Sequence, residues 1–202
     1  MAINKVANTA GSDKAHRILE AAKVLFSTEG LQNTSIEDIA TRAGLGKGTV
    51  YLYFKSKDEI FSTLASSFAE ELQQSLQNAC NTAVPAAERL TVFIETRVRF
   101  WQRIYKDYEL TITSLLETLS NPTAEAVRKR YEASDIGLIK GLLEDGRKNG
   151  EFIFDNVDNM AAVLYSMLDS LNKPWGEGEL EVTPDEKIKS LSSLLLKGLR
   201  SH

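Results

Sequence analysis

Apolar residues recur every three or four positions along most of the chain, the spacing that gathers them on one face of an α-helix. Residues 1–12 lack that period and are mostly small and polar, which predicts a flexible N-terminal arm. A helix follows from about Asp13 to Glu29, with Ile18, Leu19, Ala22, Leu25 and Phe26 on its apolar face and Gly30 as its stop. Thr34 or Ser35 opens a second, short helix, since each has an acid three residues on (Glu37, Asp38) in capping-box spacing. That helix turns Ile36, Ile39, Ala40 and Ala43 inward. Gly44 then permits a tight turn, and Lys47–Phe54 forms a third helix anchored by Val50 and Phe54. Ser56 and Glu59 make another capping box, ahead of a long helix through Ile60, Phe61, Leu64, Phe68, Leu72 and Leu76 that fades near Asn81.

Beyond Pro85 the period continues through Leu90, Phe93, Ile94, Val98, Trp101, Ile104 and Tyr105, and a shorter helix is predicted from about Tyr108 to Leu119. Asn121-Pro122 starts a long helix through Val127, Tyr131, Leu138, Leu142 and Leu143, closed by Gly150. Asp155 or Asn156 opens the next, carrying Met160, Val163, Leu164, Met167, Leu168 and Leu171 up to Pro174. A Gly- and Glu-rich loop runs from Trp175 to Val182. Thr183-Pro184-Asp185-Glu186 then caps a last helix with Ile188, Leu191, Leu194, Leu195 and Leu199. The pattern predicts an all-α protein of about nine helices.

Charge sharpens this picture. The formal net charge is −4, which argues against a protein coated in nucleic acid. Residues 1–60 nevertheless hold eight Lys or Arg against seven Asp or Glu, and Arg42, Lys47, Lys55 and Lys57 follow one another with no acid between. A compact positive patch sits on an acidic chain. Cys80 is the sole cysteine, so no intrachain disulfide can form, and a small buried hydrophobe is its expected role. The two histidines, His16 and His202, offer no metal-ligand spacing. Gly44, Gly46 and Gly48 follow no strand, so they form no phosphate-cradling loop. Catalysis, cofactor and metal are therefore not expected. No apolar run reaches the roughly 20 residues of a membrane span, and a soluble cytoplasmic protein is expected.

The second and third helices, joined by a glycine-containing turn, make a helix-turn-helix candidate at about 34–54. With Val50 and Phe54 inward, Lys47, Gly48, Thr49, Tyr51 and Tyr53 face out or lie at the edge. Tyrosine hydroxyls beside lysines suit phosphates, Thr49 can meet base edges, and Gly48 lets backbone approach closely. Thr34 and Ser35 at one helix start, and Lys55 and Lys57 near another, offer groups for flanking phosphates.

The stretch Thr34-Ser35-Ile36-Glu37-Asp38-Ile39-Ala40, then Ala43-Gly44-Leu45-Gly46-Lys47-Gly48-Thr49-Val50-Tyr51-Leu52-Tyr53-Phe54-Lys55-Ser56-Lys57-Asp58-Glu59, closely resembles the DNA-binding signature of the TetR family. The resemblance extends over about residues 13–65. Gly46 departs from it, since many members have serine there. The resemblance implies a DNA-binding domain at 13–60 and a ligand-sensing and dimerisation domain at 61–202. It implies a regulator, more often a repressor than an activator, that binds a near-palindromic double-stranded operator as a homodimer and is released by a small-molecule effector. Tyr53 and Lys57 would hold phosphates, while Lys47, Thr49 and Tyr51 would face bases or adjoining backbone.

By the same analogy the last two helices would form the dimer seam, through Met160, Val163, Leu164, Met167, Leu171, Leu191, Leu194 and Leu195. A ligand cavity would lie among residues 85–150, where Phe93, Phe100, Trp101, Tyr105, Tyr108 and Tyr131 cluster and favour a hydrophobic or aromatic effector. Arg97 borders that apolar stripe: it either points inward to an anionic or carbonyl-bearing ligand or is a solvated arginine. A helical dimer controlled by a protein partner is the other reading that the acidic C-terminal part leaves open.

Overall fold

The computed structural model describes residues 10–107, 121–170 and 183–199, without the side chains of residues 10–12 and Tyr105. The described residues form α1 (Ala10–Thr28), α2 (Ile36–Ala43), α3 (Lys47–Tyr53), α4 (Lys57–Cys80), α5 (Ala86–Asp107), α6 (Pro122–Lys148), α7 (Val157–Ser170) and α8 (Pro184–Leu199). The protein is all-α. The predicted arm overlaps the first turn of α1, which starts at Ala10 rather than Asp13; the helix predicted from Tyr108 to Leu119, and the Trp175–Val182 loop, lie outside the described residues.

The helices begin where short polar side chains can satisfy free amides. Ser35, not Thr34, caps α2: its hydroxyl accepts from Asp38 N at 3.2 Å while the Asp38 carboxylate accepts from Ser35 N at 2.9 Å. At α4 the Ser56 hydroxyl accepts from Glu59 N at 3.1 Å, and the Glu59 carboxylate reaches back to Lys55 N at 2.6 Å. Asn121 takes Thr123 N at 2.8 Å, Asn156 takes Asn159 N at 2.9 Å, and Thr183 pairs with Glu186. The start of α5 is closed from a distance. Glu151 accepts from Ala86 N at 3.0 Å and Ala87 N at 2.9 Å, placing a carboxylate at the positive end of the helix dipole.

The chain divides into two compact units, the described parts of Met1–Glu70 with Tyr105–Lys129 and of Glu71–Ile104 with Arg130–His202. The core of the first unit holds Ile18, Ala22, Leu25 and Phe26 of α1, Ile39, Ala40 and Ala43 of α2, Val50 and Phe54 at α3, and Ile60, Phe61 and Leu64 of α4. Phe26 and Phe61 meet edge to face, with centroids 6.0 Å apart. Ile18, Ile39, Val50 and Ile60 are fully buried, so truncating any of the three isoleucines to alanine costs about 2–5 kcal/mol. In the second unit the deepest side chains include Phe93 and Ile94 of α5, Leu142 and Leu143 of α6, Leu164 of α7, and Phe152. A Cβ on Gly146 would stand 2.1 Å from the Phe152 ring, so only glycine lets this ring lie against the helix.

Candidate nucleic-acid interface

Two residues fix the corner between α2 and α3. Gly44 ends α2 with φ +64°, a left-handed conformation that a side chain resists. Arg17 reaches from α1 to donate to Ala43 O at 2.5 Å and Gly44 O at 3.3 Å, satisfying carbonyls that the helix leaves open. Val50 then plugs α3 into the core with no exposure, and Phe54 follows just past the helix end. Rotation at about 100° per residue turns Gly48 and Leu52 away from the core and sets Lys47 and Tyr51 on one flank. All four are exposed, Tyr51 at 49% and Leu52 at 83%. Lys55 is exposed beyond the helix end, and Thr49 sits half-buried at the edge.

Two of the expected DNA-contacting groups, Thr34 and Lys57, are instead built into the scaffold. Thr34 is 2% exposed and its hydroxyl donates to Gly30 O at 2.8 Å, so the expectation that it faces phosphate is corrected: the hydroxyl closes the turn between α1 and α2. The Lys57 ammonium donates to Leu31 O at 2.6 Å, Thr34 O at 2.8 Å and Gln32 O at 3.3 Å. It gathers the carbonyls of the same turn. Tyr53 is half-buried and packs against the core of the first unit, and Ser35 is engaged in its capping box. Asp38, held below the ordinary carboxylate pKa chiefly by the Ser35 hydroxyl, occupies the α2 start where a phosphate was expected.

Sequence reasoning passed over two exposed neighbours. Glu37 accepts from Lys47 Nζ at 3.0 Å, and this hydrogen bond and charge raise the Lys47 pKa. Leu52 carries no hydrogen-bonding group to mark it, and its helical angle from Val50 is the signal that turns it outward.

The profile of the "Bacterial regulatory proteins, tetR family" matches residues 18–64, from the middle of α1 into α4. An uncharacterized HTH-type transcriptional regulator of Haemophilus influenzae is 30% identical over 149 residues, covering 67% of this chain and 76% of its own. The chain belongs to the TetR family. Its Bacillus subtilis relatives include the uncharacterized HTH-type transcriptional regulator YhgD, 26% identical over 94% of this chain and 98% of its own, and the fatty acid metabolism regulator protein, 24% identical over 93% and 96%. Among solved structures, a TetR/AcrR-family regulator from Thermobifida fusca superposes with a TM-score of 0.75 at 23% identity, covering 94% of this chain and all of that one. The transcriptional regulator FadR from Bacillus subtilis in complex with stearoyl-CoA gives 0.73 at 22% identity, covering 91% and 98%. This TetR-family chain is accordingly a helix-turn-helix transcriptional regulator. No helix among the described residues is long and apolar enough to cross a membrane.

The second unit of the TetR-family chain treats the expected sensing residues unevenly. Arg97 is 3% exposed, which corrects the solvated alternative. Its guanidinium donates to Asp135 at 3.0 Å and Asp169 at 3.3 Å and lies over the Tyr165 ring at 5.6 Å. Burial raises the Asp135 pKa against the pull of Arg97 and pushes the Tyr165 hydroxyl up to about 12. Phe93 is fully buried and Phe100 nearly so, with Trp101 half-buried and edge-on to Phe100 at 5.6 Å. Tyr131 is half-buried; Tyr108 and the Tyr105 side chain lie outside the described residues.

An open groove of about 400 Å³ is lined by residues of α4, α5 and α6 and by Asn81, including Cys80, Arg89, Gly137, Gly141 and Asp145. Among the described residues, none of Phe93, Arg97, Phe100, Trp101 and Tyr131 lines it. Cys80 is half-buried, and burial pushes its thiol up to about 11.

Of the expected dimer residues, Val163 is 54% and Leu194 64% exposed, while Met160, Met167 and Leu191 are half-buried. Leu164 and Leu195 are buried within the chain, which corrects their assignment to an outward seam, and Leu171 lies outside the described residues.

Proposed function

We propose that this TetR-family protein is a ligand-responsive repressor, a homodimer that grips a near-palindromic operator and releases it when a small-molecule effector with an apolar chain binds. The observation that carries the reading is the outward face of α3, where Lys47 and Tyr51 flank an open Gly48 on a helix braced from behind by Val50. A rigid helix with its cation, phenol and bare backbone turned to solvent suits entry into a major groove. Residues 13–60 form the DNA-binding domain and residues 61–202 sense the effector and dimerise. Support for the dimer comes from Val163 on α7 and Leu194 on α8, large apolar side chains exposed on the two helices expected to carry the seam.

The effector is an acyl chain carried on coenzyme A. Two relatives support this class: the fatty acid metabolism regulator protein, and the FadR structure that holds stearoyl-CoA. Arg97 already has two carboxylate partners, so it is not the group that receives the effector's charge. α4 is one continuous helix from Lys57 to Cys80 and contributes residues to both units. A ligand that favours one tilt of α4 changes the spacing of the two recognition helices, by population shift.

The test is retention of genomic DNA fragments on the purified protein at about 150 mM salt, which suppresses non-specific electrostatics. A recovered near-palindrome, released by stearoyl-CoA, is the expected result. Enrichment no better than random fragments would overturn the reading.

A further inference from the structure

The most exposed large hydrophobic side chain among the described residues is Leu52, at 83%, on the face of α3 that the proposed function assigns to DNA. A single exposed leucine is ordinary on a protein surface. Its position here is not. At about 100° per residue, Gly48 and Leu52 each stand about 160° around α3 from Val50, on either side of the point farthest from the core. They form the apex of the helix, with Lys47 and Tyr51 to one flank and Thr49 to the other.

Gly48 gives the independent second observation. It has no positive φ, and a Cβ built on it would meet nothing within 4 Å. Neither backbone conformation nor packing within the chain requires glycine, and glycine is a poorer helix former than alanine. A partner that comes close to the backbone from outside would require it. Side chains on a helix lean towards its N-terminus, so Leu52 inclines over the position four residues earlier, which is Gly48. The result is a bare aliphatic surface at the apex, uncovered by a neighbouring side chain.

We infer that Leu52, in the notch left by Gly48, reads the C5-methyl group of a thymine in each operator half-site. The inference rests on the proposal that α3 enters the major groove. Leucine can neither donate nor accept a hydrogen bond, so the polar base edges offer it nothing, and the thymine methyl is the apolar group that the major groove displays. Burying one methyl against it favours the thymine-bearing operator by about four-fold per half-site, the equivalent of one buried CH₂.

The test replaces each thymine of the selected operator, one symmetric position at a time, by deoxyuridine, which removes the methyl and keeps every hydrogen-bonding group. The expected result is one position per half-site at which uracil weakens binding about four-fold, or about fifteen-fold when both half-sites are changed. Leu52→Ala then binds the thymine and uracil operators equally, whereas Lys47→Ala binds both more weakly and keeps the ratio between them. At 83% exposure Leu52 carries little packing, and an unchanged unfolding midpoint confirms that the variant is folded. An operator that tolerates uracil throughout, or a uracil-sensitive position that Leu52→Ala leaves sensitive, overturns the inference while the operator-binding reading stands. Failure to select any operator overturns both.

Discussion

In the first unit the cations behind the interface are spent on backbone carbonyls, Arg17 at the end of α2 and Lys57 at the turn before it, whereas in the second unit Arg97 is held by carboxylates from two other helices. The first arrangement is local in purpose: it shapes one corner so that a short helix can present its outer face. The second ties α5 to α6 and α7 through a buried charge cluster. Carbonyls leave the cation's charge unneutralised but cost no buried carboxylate. Asp135, 6% exposed, is a group that cannot be left alone.

Removing the cation from each region breaks the comparison in a measurable way. Arg97→Met leaves Asp135 buried without its counter-charge and lowers unfolding stability by about 3–5 kcal/mol in a urea titration. A loss below about 1 kcal/mol would show that the cluster is effectively solvated. Lys57→Met deprives three carbonyls of one donor and costs about 2 kcal/mol, the range of a hydrogen bond to a charged group. Its operator-binding slope against salt stays as in the wild type. A slope reduced by about one with stability intact would instead return Lys57 to the phosphate backbone. A smaller effect, a few-fold rise in operator affinity, follows from Glu37→Gln, which frees the Lys47 ammonium from its exposed partner.

The weakest contrast is in pH. Asp38 has a lowered pKa, so its contribution to stability is present above the ordinary value of 3.8 and is lost as pH falls through the folded value. Asp135 has a raised one, so its contribution is present below 3.8 and is lost as pH rises through the folded value. On acidification, the stability advantage of wild type over Asp38→Asn shrinks and that over Asp135→Asn grows. Thermal unfolding between pH 3 and 7 reads both signs.

The same contrast explains what the sequence could disclose. Ser35 with Asp38, the tight turn at Gly44, and Val50 with Phe54 are local signals, spaced within one helix or one turn, and all are legible along with the helical fold. Thr34 was misjudged because its partner is a carbonyl four residues back, competing with a cap that Ser35 takes. Lys57 was placed on phosphate because its carbonyl partners lie 23 to 26 residues away. Arg97 was hardest, since its two acids stand 38 and 72 residues on and no periodicity marks them. Burial of Leu164 and Leu195, against exposure of Val163 and Leu194, likewise depends on which side of a broad apolar stripe meets the chain's own core.

The most direct test of the central claim compares wild type with a Lys47→Ala, Tyr51→Ala double variant on the selected operator, by fluorescence anisotropy at about 150 mM salt. Both side chains are exposed, so the fold is preserved. A Kd raised at least tenfold, with a shallower dependence on salt, is the result expected if the outward face of α3 grips DNA. An unchanged Kd and salt slope would contradict it.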